Sequence, residues 1–178
     1  MKKIKTTIAL AGLVTMGAVV LSQPAFAAPQ TTNANVQINP GTLTFTAPTT
    51  MEFNSVTVNG SALSSTEKTP ATISVNDLRG ANTGWSLTAK IDAFQNNGIT
   101  LSMTPAKKAG TNPVGEVATA TTLNTTAKSI AKVTDVNMSK SWLATDVIPT
   151  AKLTIPATVK TGKYTATITW DLNEGPTV

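Results

Sequence analysis

A single all-β domain of about eight to ten strands, sandwich-like or a partly closed barrel, is the fold class this sequence predicts, and three observations predict it. Apolar residues recur at every second position in many short runs, turn-forming dipeptides separate those runs, and helix signals are scarce in a chain rich in Thr, Val and Asn. A period of two places the apolar side chains on one face of a strand.

The alternating pairs run along the chain in order: Val36 and Ile38, Leu43 and Phe45, Met51 and Phe53, Val56 and Val58, Ile73 and Val75. After them come Ile99, Leu101 and Met103, then Leu153 and Ile155. Pro40-Gly41, Asn59-Gly60, Asn97-Gly98 and Thr161-Gly162 supply turns between them. From Ala106 to about Asn124 the alternation fades, which predicts a long loop, and residues 123–132 are compatible with a short helix weakened by threonines. No fixed-period repeat is evident, so neither a solenoid nor a duplicated domain is expected.

Lys2, Lys3 and Lys5 precede an uncharged stretch from Ile8 to Leu21, and small residues stand three and one positions before the end of Ala25-Phe26-Ala27. That arrangement predicts a secretory signal peptide over residues 1–27, cut after Ala27. Residues 28–32 then form an extended lead-in and residues 33–178 the domain. The apolar run is shorter than the roughly 18–20 residues that span a bilayer, so no membrane insertion is expected. The remaining 151 residues carry 11 Lys and Arg against 9 Asp and Glu. A nearly balanced charge without like-charge blocks argues against nucleic acid as a partner.

The chain has no cysteine and no histidine. Thiolate and imidazole metal sites and histidine-dependent nucleophilic catalysis are thereby excluded, and no cofactor, metal or catalytic residue is expected. Carboxylate-only hydrolysis needs two acids at a set separation. Asp77, Asp92, Asp135, Asp146, Asp171 and Glu174 assemble into no motif and read mostly as turn or solvent-facing residues.

The strongest patterns are two. Gly84-Trp85-Ser86-Leu87-Thr88-Ala89-Lys90-Ile91 alternates with Trp, Leu, Ala and Ile on one face. Lys163 to Leu172 alternates over ten residues, with Tyr164, Ala166, Ile168, Trp170 and Leu172 on one face. Each Trp ring can bury roughly 150–250 Å², which makes Trp85 and Trp170 candidate core anchors on strands expected to lie close together. Asp77 and Arg79 share a face with Ile73 and Val75, so mutual pairing ahead of a turn at Gly80 is one solution for two charges near the core. Recognition of a ligand carboxylate by the planar fork of Arg79 is another. Trp142 lies outside both patterns, as an exposed aromatic or a loop plug.

Val75-Asn76-Asp77-Leu78-Arg79-Gly80, followed by Gly84-Trp85-Ser86-Leu87, resembles the proximal motif of the WxL-domain family. Tyr164, Ile168-Thr169-Trp170-Asp171-Leu172 and Pro176 are similar to its distal motif. The resemblance covers nearly the whole chain after residue 27. It implies a secreted protein held non-covalently on the cell wall of a Gram-positive bacterium, with peptidoglycan or an associated wall polymer as ligand and another cell-surface protein as a second partner. It also implies that Trp85, Leu87, Trp170, Leu172 and Tyr164 form the wall-binding or motif residues, supported by Asp77, Arg79, Gly80, Gly84 and Pro176. Aromatic rings stack on sugar faces, whereas strict alternation argues that both Trp rings are interior. The two readings coexist if the strands frame a groove whose rim meets the ligand. A structural subunit held by a protein partner is the alternative, and a strand-donating polymer has little support in the sequence. The ending Gly175-Pro176-Thr177-Val178 carries no apolar tail, so retention through the folded domain is expected rather than covalent anchoring.

Overall fold

The computed structural model describes residues 27–80, 83–94, 98–109, 115–134 and 145–175. Ten strands and no α-helix are found among them: β1 Leu43–Thr46, β2 Leu63–Thr66, β3 Ile73–Asp77, β4 Trp85–Ile91, β5 Thr100–Lys107, β6 Glu116–Val117, β7 Thr121–Thr122, β8 Lys128–Val133, β9 Thr145–Ile155 and β10 Ile168–Glu174. They form two antiparallel sheets. One has the order β1-β3-β9-β5-β7, with β2 also paired to β9, and the other the order β10-β4-β8-β6. Neither closes into a barrel, so the sandwich-like form of the expected fold is the one observed. The compact unit holding these strands begins at Ile38.

The 11-residue strand β9 organises the first sheet. Every second residue from Thr145 to Ile155 is buried, and β5 pairs with it along one edge over eight residues, Thr100↔Thr154 to Lys107↔Val147. The opposite edge is shared: Thr145 to Val147 pair with β3 and Lys152 to Ile155 with β2. Two features close the gap between those partners. The Ala151 N–H donates to Glu67 Oε1 at 3.1 Å while the Ala151 carbonyl accepts from the Glu67 N–H at 3.3 Å. Alternate residues of a strand point their N–H groups the same way, so Pro149 faces the same gap and brings no donor to be left unpaired.

The core lies between the sheets. Ile73, Val75, Leu101, Met103, Val147 and Leu153 from the first sheet are buried with Trp85, Leu87, Ala89, Ile130 and Val133 from the second. A register shift where β8 crosses β4 at Leu87/Thr88 leaves Ile130 as the extra residue. This bulge accounts for burial of both Ile130 and Ala131, which simple alternation would have split between faces.

Several expected elements differ from what the sequence suggested. Val36 and Ile38 are exposed and belong to no strand, as are Val56 and Val58. Phe53 makes only an isolated bridge to Glu67. Unlike Leu43 and Phe45, which pair with β3, these pairs find no strand ladder among the described residues. Within the stretch expected to be a loop, β5 extends to Lys107, and β6 and β7 are found among the described residues. Residues 123–132 do not form a helix, because β-branched and buried Ile130 and Val133 find a ladder beside β4. Residues 1–26, Trp142 and Pro176 lie outside the described residues.

Gly41 stands where two backbones meet. Its N–H donates to the Leu78 carbonyl at 2.9 Å, and a Cβ at this position would lie 2.6 Å from that oxygen and 2.8 Å from Leu78 Cβ. Gly41→Ala must therefore push the segment before β1 away from Leu78. We expect it to destabilise the domain by about 1–3 kcal/mol, as overpacking does, read as a lower midpoint in urea with an unchanged slope.

Candidate functional site

The two Trp-x-Leu tripeptides lie on neighbouring strands. β10 pairs antiparallel with β4 over seven residues, with Leu172 opposite Leu87, Trp170 opposite Ala89 and Glu174 opposite Trp85. Directly opposed residues share a sheet face, so both tryptophans are on the core side. They are not side by side. Trp170 is level with Ala89, four residues along β4 from Trp85, about 13 Å at the usual strand rise.

That offset gives the rings different surroundings. Trp85 is 1% exposed and Leu87 fully buried, and even the intervening Ser86 is covered. Trp170 and Leu172 are only partly buried. The expectation that both rings are interior holds for Trp85, while Trp170 packs on the core with one side and lines a surface cleft with the other.

At the Trp85 end the sheets are tied by a charged clamp. Arg79 donates from Nε to Asp77 Oδ1 at 2.9 Å and from Nη2 to Asp77 Oδ2 at 2.7 Å. The same guanidinium reaches the carbonyls of Thr83 at 3.0 Å and Gly84 at 3.2 Å, and Glu174 Oε1 at 3.5 Å. It thus links the end of β3 in one sheet to the start of β4 and the end of β10 in the other. The Arg79 backbone N–H also donates to Asp77 Oδ1 at 3.2 Å, and Gly80 follows at φ +61°, a conformation that favours glycine. Gly84 is buried, and its carbonyl also accepts from the Gly175 N–H at 2.9 Å. The hydrogen bonds that Arg79 donates to Asp77 hold its guanidinium above its ordinary range, against the opposing effect of burial. With side chains 9% and 2% exposed, Arg79 and Asp77 are internal structure. Of the two roles open to Arg79, pairing with Asp77 is the one found.

At the Trp170 end the strand pairing stops. β4 ends at Ile91, opposite Ile168, so the expected strand from Lys163 begins its ladder only at Ile168. Residues 163–167 keep the alternation of exposure without a partner strand, apart from the Asp92 N–H donating to the Thr167 carbonyl at 3.0 Å. Tyr164 therefore faces the same way as Trp170, and its hydroxyl donates to the Lys160 carbonyl at 2.6 Å. Segment 48–53, Phe94 and the end of β9 form the other walls of a cleft of about 660 Å³.

Four aromatic rings line that cleft, those of Phe53, Phe94, Tyr164 and Trp170, together with the charged Glu52, Lys68 and Lys163. Lys68 Nζ lies 3.0 Å from Glu52 Oε2. The hydrogen bond and charge of Lys68, with a further contribution from Lys163, hold the Glu52 carboxyl below the usual carboxylate range. That interaction favours folding above the carboxylate range and is lost as pH falls through it; both side chains are more than half exposed, so its worth is small. A second, apolar hollow of about 270 Å³ lies beyond Tyr164, lined by residues including Val56, Val58, Ile99 and Val159. Tyr164 borders both.

Of the motif residues, then, Trp170 and Tyr164 reach the cleft, Trp85, Leu87, Asp77, Arg79 and Gly84 support the interior, and Leu172 packs against the core opposite Leu87. Phe94, Glu52 and Lys68 were not singled out in the sequence. Nothing in the local pattern joins residues 52 or 68 to residue 164, since the cleft forms only when distant segments meet across the sheets.

An open two-sheet sandwich carrying an aromatic-lined surface cleft is the frame in which the family assignment stands. The chain belongs to the WxL family, described as a WxL domain for surface cell-wall binding, whose profile matches residues 23–176. No curated protein and no solved structure matches the chain. No helix among the described residues is long and apolar enough to cross a membrane, and no cluster of three or more acids able to hold a metal is found among them.

Proposed function

We infer that this protein is a non-covalent attachment module for the peptidoglycan of a Gram-positive cell wall, exported by its N-terminal leader, with binding rather than catalysis as its activity. The observation that carries the reading is the cleft beside Trp170, where an aromatic ring from the family's own motif is partly exposed among three others. Aromatic faces give large contact area at low entropy cost and suit the flat faces of pyranose rings. Trp170 and Tyr164 are the ligand-facing motif residues in this reading, whereas Trp85, Leu87 and Leu172 hold the strands that present them. A partner protein at the wall surface would supply any function beyond attachment.

Co-sedimentation with protein-free sacculi tests this, before and after the secondary wall polymers are stripped. Retention that survives stripping is the expected result. A folded protein that pellets with neither preparation would mean that a protein partner holds it at the surface. Trp170→Ala should lower retention by about tenfold or more, as loss of a central aromatic anchor does, while the variant keeps its β-sheet circular dichroism and a cooperative melt.

A further inference from the structure

Lys163 stands on the rim of the Trp170 cleft, and no acid within salt-bridge distance of it is found among the described residues. The other cleft lysine is engaged differently: Lys68 holds the carboxylate of Glu52 at 3.0 Å, and that carboxylate also feels the charge of Lys163. Two ammonium groups thus share one carboxylate beside four aromatic rings. The site has a surplus of one positive charge where a ligand would lie, and the group already accommodated next to Lys68 is carboxylate-sized. A volume of about 660 Å³ is within the usual range for small-molecule sites.

We propose that the cleft binds an acidic muramyl-peptide unit of the wall, with its sugar ring against Trp170 and Tyr164 and its peptide-stem carboxylate held by Lys163 and Lys68, and that Glu52 is an internal stand-in which the ligand carboxylate displaces. The proposal rests on the attachment reading and adds its ligand class. It makes recognition depend on charge in a particular direction. Removing a lysine weakens binding, but removing Glu52 strengthens it, because Lys68 is then no longer occupied. A simple aromatic platform for neutral sugar would respond to neither change.

The test is titration of the purified protein with N-acetylmuramyl dipeptide and with the same molecule amidated at its free carboxylates, followed by NMR of backbone amides and Trp indole N–H groups. The acidic form should bind about three- to tenfold tighter than the amide, and the difference should shrink at high salt. Lys163→Gln should weaken the acidic ligand about three- to fivefold, as loss of a solvent-accessible charge pair does, and leave the amide unaffected. Glu52→Gln should tighten the acidic ligand about threefold. Lys152→Gln, on the outer face of β9, serves as the control that changes nothing. Equal binding of acid and amide, or indifference to Lys163→Gln, overturns the proposal, as does tighter binding of a glycerol phosphate oligomer. Should Glu52→Gln weaken the acidic ligand, the stand-in role is wrong. Sacculus sedimentation of the same proteins separates the two levels. If wild type and Lys163→Gln pellet equally with stripped sacculi, the cleft assignment fails and attachment stands; if wild type does not pellet, the attachment reading itself has failed.

Discussion

Trp85→Ala is expected to destabilise the domain by about 3–5 kcal/mol, the usual range for emptying a fully buried aromatic site. The ring is 1% exposed, at the end of the core where β4 meets β8, and Val133 opposite it is fully buried too. Neither backbone can close the hole, because the Arg79 clamp fixes the start of β4 from the other sheet. Against a total stability of about 5–15 kcal/mol for a domain of ordinary size, this one change could leave a large fraction unfolded at room temperature. Trp170→Ala provides the contrast. Its ring already faces the cleft on one side, so about 2 kcal/mol is expected from the smaller area returned to water. Urea denaturation of both variants decides the point: equal losses would contradict the different burial of the two rings. Wall-binding data for Trp85 variants therefore report on folding first and carry no information about ligand contact unless stability is matched.

Arg79→Ala has the second large effect, about 3–5 kcal/mol, and for a different reason. The Asp77 carboxylate is 2% exposed, and without the guanidinium both of its oxygens lose their side-chain donor inside the protein. The carbonyls of Thr83 and Gly84 lose theirs as well. Lysine is a poor replacement, since a point charge cannot make two parallel bonds to Asp77 and still reach the carbonyls across the sheets. Removing both charges with well-packed apolar residues, Asp77→Leu with Arg79→Met, should fall within about 1–2 kcal/mol of the parent, because no charge is then left buried alone. A folded-state pKa raised for Arg79 means that its contribution is complete at any pH below the unfolded value and would fade only as pH rose through the folded one. Thermal melts from neutral to mildly alkaline pH should accordingly show no loss traceable to this pair.

The architecture was legible because the long alternations are long. Residues 85–91 bury a complete face and residues 168–172 turn one toward the core, and a one-residue slip would turn it to solvent, so strand and face were readable from the pattern. Two-residue alternations carry a weaker penalty: Leu43 with Phe45 and Ile73 with Val75 lie on strands, whereas Val56 with Val58 do not. The Asp77–Arg79 pair was also readable, since two charges on an apolar strand face must find each other or another partner. The cleft was not. Its rim depends on where β4 stops, which releases residues 163–167 from the ladder, and on segment 48–53 arriving from the far end of the chain. The bulge at Ile130 was equally hidden, because two adjacent apolar residues look the same in a loop, a helix turn or a bulged strand.

Strand β9 has a consequence for the order in which this chain acquires its structure. Before residues 145–155 are present, β1 has only β3 to pair with, β5 has only β7, and β2 has no strand partner at all. The first sheet exists as separate scraps, each below the size at which strand pairs are stable in water, and the second sheet still lacks β10. A chain emerging N-terminus first therefore cannot assemble its first sheet until β9 arrives to join three strands, β2, β3 and β5. Contacts of such sequence separation make that step slow relative to local hairpins.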